Sequence, residues 1–179
     1  PTPRPRAPAF PPASDASDEE VKSRRHLVIV DDDSEIRDYL LNEFRGKYNV
    51  KTFPDAASAW ADISVQVPDV VVTDFKMEGM DGIELCEKIK HNPSTNHIPV
   101  IILTSSVDEV TQQRSVDSGA DRFLSKPLSI DLLKGSIANI LHARETLRTK
   151  YTGSVTYDYT DVKGATPRAP PGRGGAGHK

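Results

Sequence analysis

Leu27-Val28-Ile29-Val30-Asp31-Asp32 is the stretch that decides the fold. An unbroken apolar run of this length reads as a strand covered on both faces, the signature of a parallel sheet. It ends on two neighbouring carboxylates. The same design recurs downstream. Val70-Val71-Val72-Thr73 runs into Asp74, Val100-Ile101-Ile102-Leu103 runs into Thr104, and the short strand Arg122-Phe123-Leu124 is followed by Lys126 and Pro127. In an open parallel α/β sheet the crevice at the carboxyl ends of the strands is where ligands bind. Three acids, a hydroxyl and an amine at that edge make a site for a divalent cation and a phosphoryl group.

Working outward, strands alternate with helices. Strands are expected over 27–31, 48–53, 69–74, 98–104 and 121–125. A helix follows the first strand, with Asp33 or Ser34 as N-cap, Ile36, Leu40 and Phe44 on one face and Gly46 as its stop. Pro54-Asp55 opens a second helix through Ile63, with Ala56, Ala59, Trp60 and Ile63 inward. Further helices are expected over 82–91, 107–118 and 129–150. The last has a core face of Ile130, Leu133, Ile137, Ile140 and Leu141, and Leu147 and Tyr151 prolong its apolar stripe. Five βα units joined by right-handed crossovers predict a doubly wound α/β sheet of order 2-1-3-4-5. Its switch point lies between strands one and three, where Asp31, Asp32 and Asp74 converge.

Charge is unevenly spread along the 179 residues. Of 23 Lys and Arg, six lie in residues 1–13 and 163–179, whereas all 26 Asp and Glu lie between, leaving segment 14–162 with 17 basic residues and a net charge of −9. Such a segment is a poor nucleic-acid binder, because phosphate contacts need clustered Lys and Arg. Residues 1–25 and 163–179, rich in Pro, Ala, Gly and Ser, bury too little apolar surface to offset ordering entropy and are expected to be disordered. A single cysteine, Cys86, forms no internal disulfide, and it reads as a small core residue beside Leu85 and Ile89. No stretch approaches the ~20 apolar residues of a membrane span, and the N-terminus lacks an apolar signal core. The expected location is cytoplasmic.

The chemistry follows from the residue types. Mg²⁺ takes oxygen ligands. Asp32 and Asp74 can offer carboxylates, Asp31 can bind through water, and the Lys76 backbone carbonyl lies two residues after Asp74. The Asp74 carboxylate can attack phosphorus to give an aspartyl phosphate. Charge gathering on the phosphoryl oxygens is then neutralised by the cation and the Lys126 ammonium, and the Thr104 hydroxyl donates to one of them. Each residue also has an ordinary reading. Asp at a strand end is often a cap or turn residue, as Asp33 is read here. Thr ending a buried strand is commonly structural, and Lys before Pro is commonly a solvated turn residue. Four such positions at matched strand ends argue for the site. His26, His91, His97, His142 and His178 show no metal-ligand spacing.

Together these motifs resemble the receiver domain of two-component response regulators. The resemblance covers about residues 26–145. It is carried by Leu27–Arg37, by Asp69-Val-Val-Val-Thr-Asp74-Phe-Lys-Met-Glu-Gly-Met-Asp-Gly82, by Pro99–Ser105 and by Gly119-Ala-Asp-Arg-Phe-Leu-Ser-Lys-Pro-Leu128. It implies a flavodoxin-like receiver fold, with residues 146–179 as a helical extension and tail. It implies that Asp74 accepts a phosphoryl group from a histidine kinase or phosphotransfer domain. Asp31 and Asp32 become the acidic pair for Mg²⁺, Thr104 and Phe123 the switch residues, and Lys126 the phosphate-binding lysine on a cis Lys126–Pro127 bond. The surface over 107–145 would meet a downstream protein or a second copy. Glu78 and Ser105 depart from the commonest pattern, and Lys76 and Ser106 flank the site.

Two rivals are set against this. A pseudo-receiver, an interaction module that takes no phosphate, would have lost one of Asp31, Asp32, Asp74 or Lys126. A phosphatase of the haloacid dehalogenase type needs Asp two residues after the nucleophile, where Lys76 stands. No Gly-x-x-x-x-Gly-Lys-Ser/Thr loop for nucleotide hydrolysis occurs. No DNA-binding output module is expected in these residues. The chain acts alone as a switch or phosphorelay carrier, or it is a receiver module of a hybrid sensor kinase or transcription factor. Its helical continuation and tails favour the second.

Overall fold

The computed structural model describes residues 24–105, 113–114 and 116–152. Of the tails expected over 1–25 and 163–179, residues 1–23 and 163–179 lie outside the described residues, as do Ser106 and most of the 107–118 helix; Arg24 and Arg25 are instead tied to the domain, Arg24 Nη1 donating to Arg45 O at 3.1 Å and Asn49 N to Arg25 O at 2.9 Å. Gln113, Arg114, Val116 and Asp117 are helical.

Five parallel strands form one sheet: β1 (His26–Val30), β2 (Asn49–Phe53), β3 (Val70–Asp74), β4 (Val100–Thr104) and β5 (Arg122–Ser125), in the order β2-β1-β3-β4-β5. Helices α1 (Ser34–Phe44), α2 (Ala56–Ile63), α3 (Gly82–His91) and α4 (Ile130–Thr152) complete the described elements. The expected topology is the observed one. β3 and β4 are buried at every position because each has a strand on both sides and helices over both faces. β2 and β5 are edge strands. β2 is half-buried throughout, and β5 buries only Leu124. The strand ends shift by a residue or two from the sequence reading. Asp31 is the first residue past β1, and β4 starts at Val100, after Pro99.

Successive side chains of the central strands point to opposite faces and fill two cores. Val28, Val30, Val71, Val100 and Ile102 pack with Ala59 and Ile63 of α2 and Ile83, Cys86 and Ile89 of α3. Leu27, Ile29, Val70, Val72, Ile101 and Leu103 pack with Leu40 and Phe44 of α1 and Leu133, Ile137 and Leu141 of α4. Trp60, expected inward, sits partly buried against the first core. Ile102 is wholly buried in β4. Ile102→Ala removes its contacts and leaves a cavity between close-packed neighbours, so the expected loss is ~2–5 kcal/mol. Against a typical total of ~5–15 kcal/mol that is a large fraction. Urea unfolding reads it, and a loss under ~1 kcal/mol would contradict this packing.

Local signals set the helix starts. Asp33 Oδ1 accepts from Glu35 N at 2.8 Å and Ile36 N at 3.3 Å, so the expected cap is the cap. Asp81 caps α3 in a capping box with Glu84, at 2.8 Å in each direction. α4 prolongs past Leu141 to Thr152. The residues from Ala143 onward group as a separate unit, in which Leu147 is 55 % exposed. The side chain of Tyr151 lies outside the described residues.

Candidate functional site

The site is built at the carboxyl ends of the central strands. β1 delivers Asp31, whose N–H donates to Phe53 O at 3.2 Å. Asp31 Oδ1 then accepts from Asp33 N at 2.9 Å, a turn that closes the strand-to-helix connection. Arg37, in α1, donates from Nη1 to the Asp31 carbonyl at 2.7 Å. The residue type of Arg37 alone does not announce this contact; its place six residues after Asp31, within α1, is the signal available. β3 ends on Asp74, and the next residue, Phe75, donates from N to Leu103 O at 2.7 Å. Lys126 N donates to Thr104 O at 2.8 Å, which ties the residue after β5 to the end of β4. The Lys126–Pro127 peptide is cis, as expected.

These connections bring most of the expected residues together. Carboxylate oxygens of Asp31, Asp32 and Asp74 lie within 4.8 Å of one another. Lys126 Nζ lies 3.0 Å from Asp74 Oδ1 and 3.6 Å from Asp31 Oδ2. Asp31, Asp74 and Thr104 are buried, whereas Asp32 is exposed and Lys126 partly so. Phe123 is half-buried and packs against the core that holds Val30 and Ile102. Lys76 is exposed on the β3–α3 connection.

The electrostatics are out of balance. Burial pushes the Asp31 carboxyl up, against the opposing pull of the Asp33 N–H and Lys126. Burial likewise raises Asp74 against the hydrogen bond and charge of Lys126. For Lys126, burial alone would depress the ammonium, but Asp74 and Asp31 outweigh it and its pKa is raised. One ammonium, paired with two of the three clustered acids, leaves negative charge uncompensated. Asp31 Oδ2 shows this directly: it is buried, accepts no hydrogen bond and has Lys126 only at ion-pair distance. An orphaned carboxylate oxygen beside two more oxygen donors fits a hard divalent cation such as Mg²⁺.

In the unfolded chain both carboxyls titrate near 3.8; in the fold they keep their protons to higher pH. Below pH 3.8 both states are protonated and burial of these groups costs no charge. As pH rises through 3.8 towards the folded values, the unfolded chain ionises first and the fold loses relative stability. At pH 7 the ionised pair is a standing cost. Asp74→Asn is therefore expected to raise Tm by a few degrees at pH 7, with the gain shrinking towards zero near pH 3.5. Thermal unfolding at both pH values measures it. A variant less stable than the parent at pH 7 would contradict the imbalance.

A doubly wound parallel sheet with an acidic cluster and a lysine at its carboxyl edge defines a class of α/β proteins. The chain belongs to the response regulator receiver domain family, which matches residues 27–138. It is 32 % identical over 133 residues to Histidine kinase P4 of Formosa agariphila, covering 74 % of this chain and 10 % of that protein. It is 32 % identical over 118 residues to Response regulator PleD of Caulobacter vibrioides, covering 66 % of this chain and 26 % of that one. The signal receiver domain of a signal transduction histidine kinase from Syntrophus aciditrophicus superposes with a TM-score of 0.63 at 29 % identity, covering 66 % of this chain and 91 % of that one. The chain thus spans about a quarter or less of the length of these two curated relatives. Receiver domains serve two-component systems, in which phosphorylation, Mg²⁺ and histidine kinase or phosphotransfer partners are general features. Among the described residues no helix is long and apolar enough to cross a membrane.

Proposed function

We propose that this chain is a phosphorylation-activated switch that accepts a phosphoryl group on Asp74 from the phosphohistidine of a histidine kinase or phosphotransfer domain. The observation that carries the reading is the placing of one ammonium, Lys126 Nζ, 3.0 Å from Asp74 within a cluster of three acids. Asp31, Asp32 and Asp74, with the Lys76 carbonyl, are the residues that would hold Mg²⁺. When bound, Mg²⁺ supplies positive charge against the phosphoryl oxygens.

The chain's own residues do the remaining work. Asp74 supplies the attacking oxygen. Its bond to phosphorus forms as the phosphorus–nitrogen bond of the donor breaks, and the imidazole leaves neutral after taking up a proton. Lys126, freed from Asp74 by the transfer, stays as a cation beside the new phosphoryl oxygens. Thr104, at the end of β4, donates its hydroxyl to one of them. The phosphoryl group adds roughly two negative charges at one end of the sheet. Movement of Thr104 towards it lets Phe123 turn inward, and the surface over 107–145 changes its affinity for a downstream protein or a second copy.

Its place is that of a receiver module, bounded near 26–145 and working in the cytoplasm, within a hybrid sensor kinase or a DNA-binding regulator; the small share of its relatives' length that the chain spans supports a longer protein. The test is intact mass after treatment with Mg²⁺ and a small phosphodonor. One added phosphoryl group, absent when the cation is chelated, is the expected result. No gain in a folded protein that binds Mg²⁺ would leave a pseudo-receiver interaction module in its place.

A further inference from the structure

Asp74 is seated by two contacts to its main-chain carbonyl. Thr73, wholly buried, donates from Oγ1 to the Asp74 carbonyl oxygen at 3.0 Å. Gly82, the first residue of α3, approaches the same oxygen so closely that a Cβ there would stand 2.1 Å from it and 3.0 Å from its carbon. The Gly82 N–H donates to Phe75 O at 3.0 Å, which holds the helix start against the residue after Asp74. The blocking atoms are backbone atoms of a buried strand paired with β1 and β4, so they cannot swing aside as a side-chain tip would.

We propose that Thr73 and Gly82 are positioning residues for Asp74. The hydroxyl of one and the missing side chain of the other set its carbonyl, and through it the point where its carboxylate meets Lys126 and the Asp31–Asp32 pair. This rests on Asp74 being the phosphoryl acceptor. Ordinary van der Waals contact begins at 3.4 Å, so a methyl group at position 82 must displace the helix start or the Asp74 peptide. The displacement needed is about 1 Å, enough to cost on the order of 10²-fold where a reacting atom must be held in line. Loss of the Thr73 hydroxyl removes one hydrogen bond, a smaller effect of about fivefold.

The test compares the parent chain with Gly82→Ala, Thr73→Val and Thr73→Ser, each at a temperature where circular dichroism shows it folded. Two quantities are read: the rate of phosphoryl gain from a small acyl phosphate with Mg²⁺, and Mn²⁺ affinity of the unphosphorylated protein by electron paramagnetic resonance. A merely structural role would lower Tm and leave both at parent values. The expected result is a rate about 10²-fold lower for Gly82→Ala and about fivefold lower for Thr73→Val, with Thr73→Ser restored to within about twofold. Mn²⁺ affinity is expected to fall in the same order. Parent values in either folded variant, or failure of Ser to restore, would overturn the proposal. Should Gly82→Ala not fold, the Val and Ser pair decides alone by the same criteria. A parent that binds Mn²⁺ but gains no phosphoryl group would refute the acceptor reading instead, and the order of Mn²⁺ affinities would then decide the positioning claim.

Discussion

Asp74→Asn is expected to abolish phosphoryl gain, by more than ~10³-fold, while leaving the fold intact or more stable. The amide keeps the shape of the carboxyl group, so the buried packing at the end of β3 survives. What it loses is the anionic oxygen proposed to attack phosphorus. The same change removes a charge that burial disfavours, so activity and stability move in opposite directions. That opposition separates a lost nucleophile from a damaged fold. Intact mass and thermal unfolding on one preparation measure both. Residual phosphorylation at more than about a tenth of the parent rate would place the acceptor elsewhere.

Lys126→Ala is expected to move phosphorylation rate and divalent-cation affinity in opposite directions. The ammonium lies 3.0 Å from Asp74 and 3.6 Å from Asp31, and it is the cation that balances this cluster. Without it the acids are more negative, so affinity for a divalent cation rises. The phosphoryl oxygens, however, lose a fixed positive charge where charge accumulates, and removal of one such preorganised donor typically costs ~10²–10³-fold in rate. Lys126→Arg keeps the charge but replaces a compact ammonium with a planar fork, so it recovers only part of the rate. Single-turnover phosphorylation and calorimetric Mg²⁺ titration read the two quantities. A variant with unchanged rate, or with weaker cation binding, would contradict this role for Lys126.

Much of this was legible in the sequence. β1, β3 and β4 announce themselves because a strand covered on both faces must be apolar at every position, and Val70-Val71-Val72 admits no amphipathic helix. The edge strands were harder to bound, since β2 and β5 share only one side with a neighbour: β2 is half-buried at every position and β5 buries Leu124 alone. Asp31 could be read as a turn residue or as a site residue. It is placed as both, with Oδ1 taken by the Asp33 N–H and Oδ2 left over for the crevice. Asp33, one residue further from Asp31 than Asp32, is only the cap. What pattern reading missed depends on approach in space. The Arg37 contact with the Asp31 carbonyl, and the contacts of Thr73 and Gly82 with that of Asp74, are made to main-chain atoms. Such atoms carry no residue identity, so no spacing of side-chain types advertises them.

Chemical trapping identifies the acceptor residue itself. The full chain is phosphorylated with Mg²⁺ and a small phosphodonor, reduced with borohydride, digested and sequenced by mass. An aspartyl phosphate is reduced to homoserine, so homoserine is expected at position 74 and unmodified aspartate at 31 and 32. Reduction at another residue, or a phosphoryl group that resists borohydride and maps to a hydroxyl or imidazole side chain, would contradict it.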